Sequence, residues 1–207
     1  MPALIYVHDP MCSWCWAFRP ALAALRRQLP AEFQFISLLG GLAPDSNEPM
    51  NKQLRKTLRA TWRRIQQRVP GTEFNFDFWN TCRPRRSTWP ACRAVIAAAR
   101  FDRSEAMTLG IQQAYYLHAR NPSDEHTLVT IATDLGIDGM AFTEQLRSQA
   151  TEAELQRQIT LAHALGANAF PCLILDLDGS RWPIPIEYNQ PKAMLATIEE
   201  LLAFDTK

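Results

Sequence analysis

The 207-residue sequence contains no long hydrophobic run, almost no excess of charge of either sign and few cysteines. Its longest apolar stretch, at about residues 169–175, is far shorter than the ~20 residues that a membrane-spanning helix needs. Five cysteines are too few for a scaffold held by disulfides, and their odd number leaves at least one thiol unpaired. The sequence therefore excludes a membrane-spanning helix and a small disulfide-rich fold.

The first residues also lack the features of a secretory signal. No basic segment precedes the apolar run at residues 4–7, and that run ends at His8 and Asp9. We therefore expect a cytoplasmic protein, in a compartment that keeps thiols reduced. Apolar residues make up 47% of the chain and charged residues 21%, values that exclude a disordered or fibrous chain, and the length fits one domain with or without a large insertion.

Charge is distributed unevenly along the chain. Residues 52–103 hold 13 Lys or Arg against three Asp or Glu, a net charge of +10, so the remainder carries 9 against 18, a net charge of −9. An anionic partner for the basic block is one interpretation. The alternative is the solvated face of an amphipathic helix, because apolar residues such as Leu58, Trp62 and Ile65 recur there at helical spacing.

Hydrophobic periodicity predicts a β-α-β unit at the N-terminus. A β-rich run over residues 4–8 precedes a helical pattern with Phe18, Leu22 and Leu25 on one face, and a second β-rich run over residues 32–39 stops at a pair of glycines. Strands joined in this way are expected to be parallel, with a right-handed crossover. Pro20 is expected to interrupt the hydrogen bonds of the helix and kink it.

The pattern from about residue 50 to residue 166 is helical. Ser123 and Thr151 are the expected helix starts, Thr151 in a capping box with Glu154, and Gly136 and Gly166 are the expected stops. The predicted helices cover residues 51–69, 89–101, 104–119, 123–135, 139–147 and 151–165.

The β pattern returns after Pro171, over residues 172–177, turns at Asp178 and Gly179, resumes over about 182–187, and gives way to a last helix over 191–204. The predicted order is thus β-α-β, a helical block, then β-β-α, which is an α/β core with an insertion. We assign residues 1–45 and 168–207 to the core, and residues 46–167 to a helical insertion domain packed onto it.

Cys12-Ser13-Trp14-Cys15 is the most specific chemical signal, because it follows a strand and begins a helix within a β-α-β unit. Two intervening residues across the first helical turn bring the sulfurs close enough to bridge. The free N–H groups and positive end of the helix dipole stabilise a thiolate at Cys12, which is therefore the expected nucleophile. Cys15, one turn later and more buried, is the expected resolving thiol.

A half zinc site is the structural alternative for this pair. It would need two more ligands, and Cys82 and Cys92 are ten positions apart while the four histidines form no metal-binding motif. We therefore expect no metal.

The order of elements, the Cys-X-X-Cys motif at a helix start and the late Phe170-Pro171 resemble the thioredoxin fold in its DsbA-type arrangement over essentially the whole chain. Within that family the FrnE-like branch is the more specific resemblance. It is carried by segment 6–16, with the sequence YVHDPMCSWCW, in which Asp9-Pro10 precedes the motif, and more weakly by segment 86–94, with the sequence RSTWPACRA.

The resemblance implies a protein disulfide oxidoreductase that exchanges the Cys12–Cys15 dithiol or disulfide with protein or small-molecule thiols. Pro171 would be the cis-proline that faces the cysteine pair, and Phe170 would offer its backbone to an extended substrate segment. No cofactor is implied beyond the redox-active disulfide, with glutathione as a candidate co-substrate. Ser13-Trp14 contains no histidine, so the very low thiolate pKa of the strongly oxidising DsbA enzymes is not carried over.

Two alternatives stay open. Glutathione-dependent isomerases and transferases, of the hydroxychromene carboxylate isomerase and kappa classes, resemble the chain in fold but have serine where Cys12 stands. The other alternative is an anion- or nucleic-acid-binding module built on the basic block, although the sequence contains no zinc finger, phosphate loop or aromatic RNA motif.

The remaining candidates flank the motif or are isolated thiols. Asp9 could relay the proton of Cys15, and with Ser13 and Trp14 it is expected to tune the motif, whereas His8 is more simply a strand residue. Trp14 and Trp16 are candidates for an apolar rim around the sulfurs, although at least one of them is expected to belong to the core. The other thiols are expected to be structural or unpaired, namely Cys82, Cys92 and Cys172.

Overall fold

A four-stranded mixed sheet lies at the centre of the computed structural model, which describes residues 1–205. Its strands are β1 (Ala3–His8), β2 (Gln34–Leu39), β3 (Cys172–Leu177) and β4 (Ser180–Ile184), in the spatial order β2-β1-β3-β4. β1 and β2 pair in parallel, while β3 is antiparallel to both β1 and β4. The predicted β-α-β unit and C-terminal hairpin are therefore confirmed.

Nine helices accompany the sheet within residues 1–205. They are α1 (Ser13–Arg26), α2 (Lys52–Arg68), α3 (Phe78–Thr81), α4 (Trp89–Ala99), α5 (Ser104–Tyr116), α6 (Glu125–Asp134), α7 (Gly139–Leu146), α8 (Gln149–Ala164) and α9 (Pro191–Asp205). None of them is long and apolar enough to cross a bilayer.

β1 is buried along its whole length because helices cover both faces of the sheet. Leu4 and Tyr6 point to one face, where they pack with residues of α1 and α9. Ile5 and Val7 point to the other face, where Ala162 of α8 completes a smaller cluster. The alternation of side chains along a strand thus supplies two apolar layers from one short segment, and it fixes the strand that leads into the cysteine motif.

The helical block has its own aromatic core, centred on Trp62 of α2 and including Trp79 and Tyr116. The same cluster contains Met11 and Trp16 from the cysteine segment. The block is therefore packed directly against the cysteine motif through a shared apolar core. The insertion boundaries at residues 46 and 167 stay a prediction.

Several details differ from the expectations. The cap of α8 is Ser148, whose hydroxyl accepts a hydrogen bond from the Thr151 amide at 3.1 Å, so the expected capping box of Thr151 with Glu154 is wrong. The α1 helix runs through Pro20 without being split into two helices. β4 covers Ser180–Ile184 and not 182–187, and the four-residue α3 was not predicted.

Candidate active site

The cysteine motif begins where the chain leaves β1 and enters α1. Cys12 is the N-cap of α1, in an extended conformation, and its amide donates a hydrogen bond to the Asp9 carbonyl at 3.0 Å. All five cysteines of the chain are free thiols. No side chain caps the N-terminus of this helix, so its amide groups are directed at the Cys12 sulfur.

The two thiols differ in acidity. A hydrogen bond from the Cys15 thiol, with further bonds from the backbone amides of Cys15 and Trp14, lowers the pKa of Cys12, although burial and the charge of Asp9 oppose this shift. Burial raises the pKa of Cys15 well above its usual value, and the neighbouring Cys12 thiolate raises it further. A more acidic thiol beside a less acidic thiol is the arrangement that a nucleophile and a resolving thiol require.

The Phe170–Pro171 peptide bond is cis and lies against the motif. The Cys12 thiol, when protonated, donates a hydrogen bond to the Phe170 carbonyl at 3.4 Å. The Phe170 ring covers Gly40 so closely that a Cβ atom there would lie 2.0 Å from the ring. The loop after β2 thereby positions the segment that precedes β3 beside the Cys12 sulfur.

Asp9 is completely buried, and both of its carboxylate oxygens are hydrogen bonded. The oxygens accept bonds from the amides of Met11 at 2.7 Å and Leu42 at 2.8 Å and from the Thr88 hydroxyl at 2.6 Å, with the Cys92 thiol at 3.5 Å. Burial raises the pKa of Asp9, while these hydrogen bonds oppose the shift. The carboxylate therefore joins three segments beside the motif, and its charge acts on both motif thiols.

His8, at the end of β1, is buried and stacks on Tyr6 with their ring centroids 4.7 Å apart. Its Nε2 atom is hydrogen bonded to the Ser37 hydroxyl at 2.9 Å, and its Nδ1 atom has no protein partner. Burial lowers the pKa of His8 to about 4, so its ring is neutral at physiological pH.

A cavity of about 340 Å³ lies behind Cys15. Its wall includes Tyr6, His8 and Gln112, of which Tyr6 is within hydrogen-bonding reach of the Cys15 thiol. Burial raises the pKa of the Tyr6 hydroxyl well above its usual value, so this group stays protonated and can donate a hydrogen bond to the Cys15 sulfur.

The tryptophans of the motif have different surroundings. Trp14 is half-buried, packs on Tyr188 with ring centroids 5.3 Å apart, and carries the Arg64 guanidinium over its face at 5.7 Å. Trp16 is buried in the helical core, where its indole N–H donates to the Glu73 carbonyl at 3.1 Å. Only Trp14 forms the expected rim. Ser13 is half-buried at the first position of α1.

The other cysteines lie in three separate places. Cys82 donates to the Ala119 carbonyl at 2.9 Å, Cys92 is fully buried on α4 beside Asp9, and Cys172 begins β3 directly after Pro171. Burial raises the pKa of all three thiols, most strongly that of Cys92. Within residues 1–205 no group of three potential ligands could hold a metal ion.

Sequence reasoning missed several residues that complete the site, notably Gly40, Thr88, Cys92 and Tyr188. Thr88 and Cys92 lie in segment 86–94, whose resemblance to the FrnE-like branch was the available signal. Gly40 follows a predicted strand, which marks a turn but does not reveal the aromatic ring that covers it. Tyr188 had no signal, since it reaches Trp14 only through the tertiary fold.

Comparison with solved structures finds close relatives in fold. A candidate protein disulfide isomerase from Nitrosomonas europaea is 26% identical, with a TM-score of 0.84 and coverage of 98% of each chain. The cytosolic disulfide reductase DsbM from Pseudomonas aeruginosa is 26% identical, with a TM-score of 0.79 and coverage of 98% of this chain and 99% of that one, and it has also been solved with glutathione.

Among curated sequences, the ClpXP adapter protein SpxH of Bacillus subtilis is 28% identical over 177 residues, which cover 83% of this chain. The chain spans only 58% of the length of this relative. The family model for the DSBA-like thioredoxin domain matches residues 3–187, most of the chain. With its β2-β1-β3-β4 sheet and its Cys-X-X-Cys helix start, the protein belongs to the DSBA-like thioredoxin domain family.

Proposed function

We propose that this protein is a thiol–disulfide oxidoreductase that reduces protein or small-molecule disulfides through a mixed disulfide on Cys12. The observation that carries the proposal is that the pKa values of the two neighbouring thiols are shifted in opposite directions. The pKa of Cys12 is lowered, and that of Cys15 is raised well above its usual value. Phe170 and Pro171 support it, since their backbone lies beside the Cys12 sulfur, where an extended substrate segment would pair.

The reaction proceeds in two exchanges. The Cys12 thiolate attacks one sulfur of the substrate disulfide, forming a mixed disulfide, and the other substrate sulfur leaves as a thiolate. Cys15 then loses its proton and attacks Cys12, which closes the Cys12–Cys15 disulfide and releases the second substrate sulfur. Two electrons pass from the dithiol to the substrate, and the departing thiolates take up protons.

Re-reduction requires an external thiol, for which we propose glutathione. Two glutathione molecules would reduce the Cys12–Cys15 disulfide and leave as glutathione disulfide. The similarity to the cytosolic reductase DsbM and its glutathione-containing structure supports this co-substrate, the reductive direction and a cytoplasmic location. The absence of a histidine between Cys12 and Cys15 also fits a reductant better than a strong oxidant.

Single-cysteine variants test the proposal. We expect Cys12→Ser to abolish insulin reduction with dithiothreitol as electron donor. Cys15→Ser should instead accumulate a mixed disulfide on Cys12, detected by mass spectrometry, because the resolving thiol is missing. Cys172→Ser is the matched control and should retain activity. Full insulin reduction by Cys12→Ser would contradict the mechanism.

The same variant separates two competing functions. A glutathione-dependent isomerase has serine at this position, so retained isomerase or transferase activity in Cys12→Ser would favour that class. An adapter function, suggested by the similarity to SpxH, would depend on binding and would survive the loss of both motif thiols. Neither alternative explains why one motif thiol is made more acidic and the other less acidic.

A further inference from the structure

The exposed side of α2 is strongly basic. The helix carries seven Lys or Arg and no acidic residue, and none of the seven forms an ion pair with another residue of the described range 1–205. These cations are Lys52, Arg55, Lys56, Arg59, Arg63, Arg64 and Arg68, and we call them the α2 cations. By contrast, arginines on other elements, such as Arg93 and Arg157, pair with carboxylates.

This arrangement works against the stability of the helix itself. Like charges four positions apart repel, as in Lys52 with Lys56, Arg55 with Arg59, and Arg64 with Arg68. The first turn has a lysine and no acidic residue, although the positive end of the helix dipole favours the opposite sign. A helix that only had to face water would gain from mixed charges, so these repulsions indicate a surface complementary to an anion.

Two shallow grooves follow the α2 cations. One, of about 340 Å³, is lined only by cations, from Lys52 to Arg63. The other, of about 350 Å³, runs from Gln53 past Lys56 to Arg64. Lys56 lines both grooves, so they adjoin along the helix, and we call the surface formed by the two grooves the track.

The track leads to the redox motif. The Arg64 guanidinium, at the end of the track, lies over the ring of Trp14. Trp14 is one of the two residues that separate Cys12 from Cys15 in the sequence. Arg68, one turn later, is close enough to Tyr188 to act on the pKa of its hydroxyl, and Tyr188 packs on Trp14. The C-terminal end of α2 therefore lies next to the segment that carries Cys12 and Cys15.

We propose that the α2 cations dock an acidic polypeptide segment that flanks the reactive disulfide of a protein substrate. The proposal rests on the proposed oxidoreductase function and names its substrate class. A 17-residue helix is about 25 Å long, so the track is longer than a tripeptide such as glutathione and suits an extended chain with several carboxylates. A nucleic acid is disfavoured, because its charge continues far beyond the track and would meet the rest of the chain, which has a net charge of −9 outside residues 52–103, whereas a short acidic segment stays on α2.

The docking can be tested with synthetic peptides. Each peptide contains one cysteine, whose sulfur forms a mixed disulfide with thionitrobenzoate. Three peptides share a core and carry flanks of four Glu, four Ser or four Lys. Pre-reduced protein is mixed with each peptide in a single turnover. Cys12 attacks the peptide sulfur, the coloured thionitrobenzoate leaves as a thiolate, and its absorbance gives the rate.

We expect the Glu-flanked peptide to react at least tenfold faster than the Lys-flanked peptide at 20 mM salt. The ratio should fall towards one at 0.5 M salt, where exposed charges are screened within a few ångströms. Lys56→Gln with Arg64→Gln should reduce the low-salt ratio severalfold. The control is the double variant Arg27→Gln with Arg103→Gln, which also removes two positive charges. Arg27 follows the end of α1 that is far from Cys12, and Arg103 precedes α5, so this variant should keep the wild-type ratio.

The outcomes separate the two proposals. If the Ser-flanked peptide releases no thionitrobenzoate from wild-type protein, the oxidoreductase function fails. If it reacts while all three peptides have equal rates at low salt, the docking proposal fails alone. A 20-base-pair DNA duplex that inhibits the reaction at lower concentration than a cysteine-free Glu peptide would identify a nucleic-acid surface and overturn the acidic-polypeptide assignment.

Discussion

At the scale of single residues, the negative charge of Asp9 opposes the acidity of the Cys12 thiol. The buried Asp9 carboxylate acts to raise the pKa of Cys12, yet that pKa is lowered on balance, because hydrogen bonds from Cys15 and from the start of α1 outweigh this repulsion and the effect of burial. Asp9 is held beside the motif by hydrogen bonds from four donors, namely the amides of Met11 and Leu42, the Thr88 hydroxyl and the Cys92 thiol. These hydrogen bonds fit a positioning role for the carboxylate, and the proton relay considered from the sequence stays a prediction.

Asp9→Asn should lower the pKa of Cys12 further, since it removes the opposing charge. It should also lower the free energy of unfolding by about 1–3 kcal/mol, because an amide cannot accept all the hydrogen bonds of the carboxylate. The Cys12 pKa is read from the pH dependence of iodoacetamide alkylation, and stability is read from urea unfolding.

Thr88→Val is the matched control for Asp9→Asn. It removes one hydrogen bond to Asp9 but leaves the charge, so it should reduce stability with little effect on the alkylation profile. A Cys12 pKa that shifts equally in both variants would show that loop geometry, and not the Asp9 charge, sets the thiol acidity.

At the scale of secondary structure elements, three segments distant in sequence converge on Cys12. The N-terminus of α1 holds the sulfur, the chain before β3 brings the Phe170 carbonyl to it, and the loop after β2 supports Phe170 through Gly40. The glycine is needed for a close approach, since any side chain would occupy the space of the Phe170 ring.

Gly40→Ala should displace the Phe170 ring, since the added Cβ atom would lie 2.0 Å from it. Because the Phe170 backbone is the proposed docking edge, we expect mixed-disulfide formation with a neutral peptide to slow roughly 10- to 100-fold. Gly139→Ala is the control, since its Cβ would meet only ordinary contacts at 3.4 Å and beyond. Single-turnover rates equal to wild type for Gly40→Ala would remove Phe170 from the substrate path.

At the scale of the whole molecule, the burial of β1 links stability to pH. His8 is enclosed between the sheet and the helical block as a neutral ring, with a pKa of about 4 against 6.5 in the unfolded chain. Between pH 4 and pH 6.5 the unfolded chain binds a proton at His8 more readily than the folded protein does. The contribution of His8 to the free energy of unfolding is therefore complete above about pH 6.5 and is lost as the pH falls towards 4.

His8→Phe should therefore flatten the fall in stability between pH 6.5 and pH 4, where wild type loses at most about 1.4 kcal/mol per pH unit from this group. Phenylalanine keeps the stacking on Tyr6 but cannot be protonated. Urea unfolding at several pH values gives the two slopes, with His163→Gln, at an exposed position on α8, as control. Parallel curves for wild type and His8→Phe would rule out His8 as the titrating group.

Local sequence patterns determined much of this protein. Side-chain periodicity and turn residues placed the strands and eight of the nine helices among the described residues, because burial of one face imposes a regular spacing on an amphipathic element. The Cys12–Cys15 spacing at a helix start was sufficient to select the candidate pair, because helix geometry alone brings these residues onto one turn. The four-residue α3 was missed, since one turn has no period to detect.

Tertiary structure decided what surrounds the pair. The contacts of Asp9 with Thr88 and Cys92, of Phe170 with Gly40 and of Trp14 with Arg64 join residues 50 to 130 positions apart in sequence. The sequence identified the basic residues of α2 but not their place beside the redox motif. Helix spacing and strand alternation are local properties, whereas pKa shifts and charge complementarity depend on which distant groups the fold brings within a few ångströms.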